Sequence, residues 1–418
     1  MSETMNWLRR LGQNRLLDVG AVLVTVLVIV YWGTILPQRW SDFDFNNYYV
    51  SGRMLLEGQN PYSTSLQEMS RSLGFRYAAD LPHAGYPPSF IWLFAALAAL
   101  PPRVAFGIWL AIEIGCLIVV LGLTRRLLGE RLSRRGWLFV AALTITSRTV
   151  SYGLYYSQVQ LFLTAVILAA YVAHRAGRHG WACLAVSAAG ILKLYPLALL
   201  PWFVWSGKGT ARARACRLAG AIGLAIMVIL LSGPSLWRDF LQFSLPMDTE
   251  EAIARTFHFS LPALVTNLGY WYHGFNPTPQ AKEWWWFVGT ATALAVIASG
   301  YGLCLLSPRD PEAQFCVLCI AMLSGTLTMQ GHYFVFLVFP LAVAATRIAA
   351  RPTPGKVFCL IAIIVAVNCV DPPISPFLWR HPFLYILVSN VPLYGLFGLG
   401  LFFGRELWVH RVTVSRLP

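Results

Sequence analysis

Apolar runs of about 20 residues recur along the chain, and a run of that length can cross a bilayer as a helix. Only 12% of the residues are charged, whereas a soluble domain carries about 25%. Because spanning segments must satisfy their own backbone groups, the sequence predicts an all-α polytopic membrane protein. The runs lie at about 18–36, 104–124, 137–150, 158–174, 217–232, 284–306, 314–330, 333–349, 357–370 and 383–404.

Two further apolar pieces, at 89–100 and 181–205, are harder to assign. The second is interrupted at Lys193-Leu194-Tyr195-Pro196, where two half-helices could meet at a proline. Non-helical backbone is tolerated at membrane depth only where protein or a cavity surrounds it, so this break is a candidate site. With both pieces open, we predict one membrane domain over 1–418 with roughly 10 to 13 spanning helices.

The basic residues fall in short clusters between the apolar runs, although the net charge is +14. Such clusters mark cytoplasmic loops, so we infer an orientation and no nucleic-acid partner. Two long segments, 37–88 and 233–283, are poor in basic residues and are predicted to be outer loops with little regular pattern, apart from a short interfacial helix at 46–58. The first apolar run lacks a cleavage site and is interpreted as a retained anchor. We expect a multi-pass protein of a bacterial inner or plasma membrane.

Several common enzyme motifs are missing from the sequence. There is no Walker A loop, no G-x-G-x-x-G after a strand and no H-E-x-x-H, which disfavours ATP-driven transport and soluble nucleotide-sugar chemistry. The spacing of Cys316 and Cys319 resembles a metal or redox pair, but the two residues lie in an apolar run without a second pair. We interpret them as core residues.

Two scarce acidic residues, Asp42 and Asp44, stand just after the first apolar run. A carboxylate at the membrane edge could take the proton of an acceptor hydroxyl during transfer to that hydroxyl. The structural alternative is that either residue caps the helix that follows. We favour Asp44 as the base and keep Asp42 as a second candidate.

Other polar residues stand at the ends of apolar runs or within them. Lys193 could bind a lipid phosphate or only extend to the interface. His332 could bind a phosphate, shift a proton or be a satisfied core histidine. Arg148 is another candidate for phosphate, whereas Gln158 and Gln160, which flank Val159, are by default helix-end hydrogen-bonding residues.

Taken in order, these residues resemble glycosyltransferase family 87, a group of polyprenyl-phosphate-sugar-dependent transferases of the GT-C class, and the likeness spans nearly the whole chain. The segments that carry it are Asp44-Phe45 with Tyr48-Tyr49, Leu55-Leu56-Glu57-Gly58 with Asn60-Pro61-Tyr62, Tyr86-Pro87-Pro88, Leu100-Pro101-Pro102, Ser157-Gln158-Val159-Gln160, Lys193-Leu194-Tyr195-Pro196, Phe259-Ser260-Leu261 and His332-Tyr333.

The resemblance implies a lipid-monophosphate sugar donor, a lipid or glycan acceptor at the outer face, and inversion at the anomeric carbon. The essential aspartate of the family falls on Asp44, its late histidine on His332 and its lysine before Tyr-Pro on Lys193. Tyr48 and Tyr49 would support the base and the donor.

Two places depart from the family pattern. Gln160 stands where an asparagine is usual, two residues after Gln158, and His258 replaces the asparagine before Ser-Leu. These three residues are expected to line the sugar pocket, so the departures bear on the identity of the sugar.

Neither a metal nor a cofactor is expected, because Asp42 and Asp44 alternate with phenylalanines and make a poor cation site. Two other classes stay open. A transporter or lipid flippase could use Lys193 and Glu113 as pathway charges, although the sequence shows one broken segment and no partner for it. A non-catalytic scaffold of the cell envelope is the third possibility.

Overall fold

The structure is a computed structural model that describes residues 15–41, 43–75, 83–207, 209–244, 258–306, 310–370 and 380–414. Within these ranges the regular structure is helical, and no strand occurs among them. This confirms the predicted all-α polytopic class. The first ten helices are α1 Arg15–Ile35, α2 Phe43–Leu56, α3 Gln67–Ser72, α4 Pro88–Ala98, α5 Pro102–Leu128, α6 Arg134–Ile145, α7 Arg148–Tyr155, α8 Gln160–Arg175, α9 His179–Leu192 and α10 Leu200–Trp205. They are followed by α11 Ala211–Ser232, α12 Pro234–Asp239, α13 Leu261–Tyr272, α14 Pro279–Leu306, α15 Pro311–Gly325, α16 Val338–Ala350, α17 Pro354–Asn368, α18 Pro382–Ser389 and α19 Val391–Val414.

Five of the described helices are long and apolar enough to cross a membrane, or up to seven if two bent helix pairs each form one span. Five shorter apolar helices of 10–17 residues lie beside them. The predicted count of roughly 10 to 13 is reached only if these shorter helices also cross, so the count stays a prediction.

Helix α5 defines the two ends of the molecule. Its 27 residues extend about 40 Å at 1.5 Å per residue. Near its start, Phe106 packs against Phe45 of α2 with ring centroids 5.1 Å apart. Just beyond its end, Arg131 forms an ion pair with Glu312 at the start of α15. The aromatic end and the ionic end are therefore separated by most of the length of α5.

The ionic end joins basic clusters that are far apart in the sequence. Arg131 binds both carboxylate oxygens of Glu312, at 2.8 and 2.6 Å. Arg347 contacts the same carboxylate at 3.3 Å and Asp310 at 2.9 Å. At the start of α1, Asp18 accepts a hydrogen bond from Arg135 at 2.7 Å. Members of two basic segments, 125–135 and 347–356, are thus held by acidic partners.

Three interruptions of the helices create irregular backbone within the bundle. Helices α7 and α8 meet at an angle of 119°, and Ser157 at the bend has a φ of 54°. Lys193 is extended between α9 and a 3-10 helix, Tyr195–Leu199. This confirms the predicted break. The helix is interrupted because Pro196 cannot donate the backbone hydrogen bond that would continue it. A second 3-10 helix, Gly331–Leu337, precedes α16.

The prediction of little regular structure in the two outer segments was wrong. Helices α2 and α3 lie in the first segment, and α12 and α13 lie in the second. The short helix expected at 46–58 exists as α2, and its Tyr48 and Tyr49 are buried against the rest of the bundle. Its interfacial position stays a prediction. Large apolar side chains cover several sides of α2, so its sequence lacks a clear amphipathic stripe.

Helix α2 approaches α4 very closely. A Cβ atom added to Gly52 would lie 2.9 Å from the backbone nitrogen of Ala95 and 3.1 Å from its Cα. Only glycine allows this separation. The contact fixes α2, and the acidic residue in its first turn, against the bundle.

Candidate active site

Lys193 lies at the centre of a polar cluster that five segments of the chain form. Its Nζ is 4.9 Å from the ring centroid of Tyr86 and 4.8 Å from that of Tyr333. Both distances are within the range of cation–π attraction. The break after α9 ends the helix at Lys193. The lysine side chain is held between two aromatic rings at this break.

Asp44 comes within electrostatic range of Lys193. It lies in the first turn of α2 and keeps partial exposure to solvent. Helix α2 begins at Phe43, so Asp44 is inside the helix and not at its N-cap position. The neighbouring ammonium group offsets part of the cost of placing a carboxylate here. Asp42, the second candidate, lies outside the described residues.

His332 lies on the 3-10 helix before α16 and is buried. Its ring is nearly parallel to that of Tyr152 of α7, with centroids 6.1 Å apart. It interacts electrostatically with Lys193 and His258. Its Nδ1 has no hydrogen-bond partner among the described residues. An imidazole nitrogen in this position is available to a ligand.

A chain of hydroxyl groups leads away from the Asp44–Lys193 pair. The Tyr48 hydroxyl donates to the Tyr86 hydroxyl at 3.0 Å, and Tyr86 donates to Gln158 Oε1 at 3.5 Å. Tyr48 also interacts electrostatically with Asp44. The chain therefore links the acidic residue of α2 to the bend between α7 and α8.

Tyr62 fixes the segment that carries Tyr86. Its hydroxyl donates to the Tyr86 carbonyl oxygen at 2.6 Å. Burial raises the pKa of the Tyr62 hydroxyl, which keeps it neutral and able to donate. Nearby, Asn60 donates to Asp239 of α12 at 2.7 Å, so that both outer segments are tied to one another beside the site.

Gln160 and His258 are two further buried polar residues that the sequence singled out. Gln160 is buried in the first turn of α8, and neither atom of its amide has a hydrogen-bond partner within the described ranges. His258 Nε2 lies 3.3 Å from the Gln330 amide nitrogen, and the backbone N–H of Phe259 donates to Met329 at 2.7 Å. The backbone pairing holds His258 beside the His332 segment.

Two candidates from the sequence lie apart from this cluster. Tyr49 donates to the Leu100 carbonyl oxygen at 2.6 Å and packs against Phe45 and Phe75. Arg148 is exposed at the start of α7, where its backbone N–H donates to Asn368. The contacts of both residues are those of framework positions.

Sequence reasoning assigned no site role to Tyr86 or Tyr333, which hold the lysine. Tyr86 entered the sequence analysis only as part of Tyr86-Pro87-Pro88, one of the segments that carry the family resemblance. Tyr333 stands next to His332 in a segment that carries the family resemblance. This adjacency was the sequence signal that could have indicated a role for Tyr333 in the site.

The described residues contain no group of three or more His, Cys, Asp or Glu side chains able to hold a metal ion.

The structure thus defines a multi-pass helical membrane protein with an acid–lysine–histidine cluster at one end, in which His332 is buried and Asp44 and Lys193 are partly exposed. The sequence model of glycosyltransferase family 87 matches residues 85–370, more than half of the chain. The chain therefore belongs to glycosyltransferase family 87 and is a membrane glycosyltransferase. A search of curated proteins finds no match. Lys193 and His332 lie inside the matched region and Asp44 lies before it.

Proposed function

We propose that the protein transfers a hexose or pentose, with a mannose-like sugar as the first candidate, from a polyprenyl-phosphate donor to a lipid or glycan acceptor. The observation that supports this most strongly is that Asp44 and His332 both interact electrostatically with Lys193. An acid, a cation and an imidazole are the groups that such a transfer requires.

In the proposed step, the acceptor oxygen attacks the anomeric carbon from the face opposite the phosphate. The bond between that carbon and the acceptor oxygen forms as the bond to the phosphate oxygen breaks, which inverts the configuration. Asp44 takes the hydroxyl proton as general base. The lipid phosphate departs with the bonding electron pair.

A phosphate leaving group needs charge stabilisation more than a proton donor. Lys193 supplies a positive charge held between Tyr86 and Tyr333. His332 offers an unpaired Nδ1 within the described part of the chain. These groups support metal independence as part of the proposal, with no cofactor besides the donor substrate.

Recognition of the sugar is assigned to Gln158, Gln160 and His258. Their amide and imidazole groups are buried, and buried polar groups discriminate strongly because an unmatched ligand leaves them unpaired. A hydroxyl-rich hexose or pentose suits such a lining.

The proposal places the reaction at the outer face of the membrane. The Asp44 cluster lies near the start of α5, and the ion pair of Arg131 lies beyond the other end of α5. Basic segments face the cytoplasm as a rule, which supports an outer position for the opposite end.

The test is transfer by the purified full-length protein in lipid nanodiscs. Synthetic polyprenyl-phosphate mannose, glucose and arabinose are offered with a lipid extract as acceptor, and products are followed by mass spectrometry. Nucleotide sugars are offered in parallel. We expect Asp44→Asn to lower kcat by about 10³-fold with intact folding, within the usual range for a lost general base.

Glu57→Gln is the matched control, because Glu57 is an exposed carboxylate just beyond the same helix, paired with Arg53. It is expected to keep wild-type activity. Transfer from nucleotide sugars alone would overturn the donor class. An Asp44→Asn variant with more than a tenth of the wild-type rate would overturn the base. Lipid movement without a new glycosidic bond would favour the flippase alternative.

A further inference from the structure

The least explained polar group in the described part of the molecule is the carboxyl of Glu113. It lies in the middle of α5 with no exposure to solvent. Neither of its oxygens has a hydrogen-bond partner within the described residues. Acidic residues at membrane depth are costly and mark functional positions by default. The proposed transfer step makes no use of it.

Helix α5 directs Glu113 towards Tyr48. Trp109, one turn earlier on the same helix face, packs against the Tyr48 ring with centroids 6.3 Å apart. Its indole N–H donates to the Ser157 carbonyl oxygen at 3.2 Å, beside Gln158. Glu113 itself is in electrostatic range of Tyr48. The carboxyl therefore lies on the helix face that packs against Tyr48, within electrostatic range of the start of the Tyr48–Tyr86–Gln158 chain.

An ionised carboxylate without a partner at this depth carries a large desolvation cost, which favours the neutral acid. A neutral acid has one O–H to donate. Tyr48 already donates its own proton to Tyr86, which leaves the Tyr48 oxygen as an acceptor. The two groups are complementary, and one bridging water would connect them, since the described residues show no direct hydrogen bond to Glu113.

We propose that Glu113 is a positioning residue that fixes the direction of this hydroxyl chain. With Glu113 donating to Tyr48, Tyr48 donates to Tyr86 and Tyr86 donates to Gln158 Oε1. The amide nitrogen of Gln158 is then the atom turned towards the donor substrate. A hydrogen-bond acceptor at the position of Glu113 would reverse the direction of donation along the chain. Gln158 would then donate to Tyr86 and present its Oε1 to the donor substrate. The effect on binding of the sugar donor rests on the proposed function, whereas the hydrogen-bonded chain of hydroxyl groups does not.

The experiment is a double-mutant cycle on the full-length protein, because coupling energy separates linked from independent groups. Glu113→Leu removes the donor, Glu113→Gln keeps an N–H donor of similar size, and Tyr48→Phe removes the next hydroxyl. We expect Glu113→Leu and Tyr48→Phe each to raise the donor KM about fivefold, with kcat nearly unchanged, as for one lost hydrogen bond. Glu113→Gln is expected within twofold of wild type. The double variant Glu113→Leu/Tyr48→Phe is expected to be no worse than Tyr48→Phe.

Thr124→Val is the control on the same helix, because Thr124 is also buried with an unpaired hydroxyl among the described residues. Its effect is expected to add to that of Tyr48→Phe. The same cycle measured by thermal unfolding without substrate tests the chain even if no lipid-linked sugar is turned over, so failure of the proposed function is recognised separately. Additive Glu113 and Tyr48 effects, or a Glu113→Gln variant equal to Glu113→Leu, would overturn the proposal.

Discussion

Lys193 is held by contacts that do not neutralise it. Two tyrosine rings attract the ammonium group through their faces, and such contacts carry no charge that would neutralise it. Asp44 is a charge partner that changes its protonation state in the proposed cycle. A lysine placed in this way keeps its position when the acid is protonated.

Tyr333 provides a direct test of this arrangement. We expect Tyr333→Leu to raise the donor KM about fivefold, equivalent to about 1 kcal/mol, because one cation–π contact is lost. Tyr333→Phe keeps the ring and is expected to stay close to wild type. The measurement is the donor KM in the nanodisc assay. Equal behaviour of the leucine and phenylalanine variants would show that the ring face is not used.

Some single residues could be predicted from the sequence and others could not. Lys193 and the break beside it follow from a proline and a cation between apolar runs, which is a local signal. The meeting of Lys193 with Asp44 and His332 joins positions more than 100 residues apart, and no local pattern specifies it. Tyr49 has the same local pattern as Tyr48, and only tertiary packing separates their surroundings.

Among the helices, the pair α2 and α4 determines where Asp44 is held. Helix α2 carries the acid in its first turn. At Gly52, the backbone of α2 lies so close to the backbone of α4 that no side chain would fit between them. The neighbouring atoms belong to the backbone of α4, so they cannot rotate away. The separation of these helices is therefore set by one missing methyl group.

The prediction at this scale concerns Gly52→Ala. The added Cβ is expected to force α2 away from α4, lowering stability by about 1–3 kcal/mol and reducing kcat. Gly115→Ala on α5 is the control, since nothing lies within 4 Å of its added Cβ, and a helical glycine replaced by alanine tends to gain stability. Thermal unfolding and the transfer assay measure both effects. A Gly52→Ala variant as stable and active as the control would contradict the close contact.

The fold class followed from the sequence more readily than the helices of the outer segments. Long apolar runs predict spanning helices because a bilayer leaves few alternatives. Helices such as α2 and α13 are short and carry aromatic residues on several sides, so their pattern gave no clear period. Tyr48 of α2, one of these aromatic residues, packs against Tyr86 and against Phe90 of α4.

Over the whole molecule, the site and the ionic end are about 40 Å apart along α5. The ionic end connects α15, α16 and the turn after α5 through Glu312. It contributes nothing to the chemistry of Asp44 directly. Its expected role is to hold the ends of three helices together.

We therefore expect Glu312→Gln to lower the free energy of unfolding by about 1–3 kcal/mol, because hydrogen bonds to two charged guanidinium groups are weakened. Activity per folded molecule is expected to be unchanged at low temperature. Glu130→Gln is the control, since Glu130 is an exposed carboxylate beside Arg131. Chemical denaturation and initial rates separate the two effects. A lower kcat in the folded Glu312→Gln protein would show coupling between the two ends.

The break at Lys193 and the 3-10 helix at His332 also concern the order in which the site is assembled during synthesis. Asp44 emerges from the ribosome early, Lys193 much later and His332 later still. A chain that stops before residue 332 can insert its first helices but cannot have the complete cluster. The polar side chains made early therefore lack their partners until the later helices have been synthesised. Membrane insertion factors would be needed most at this stage.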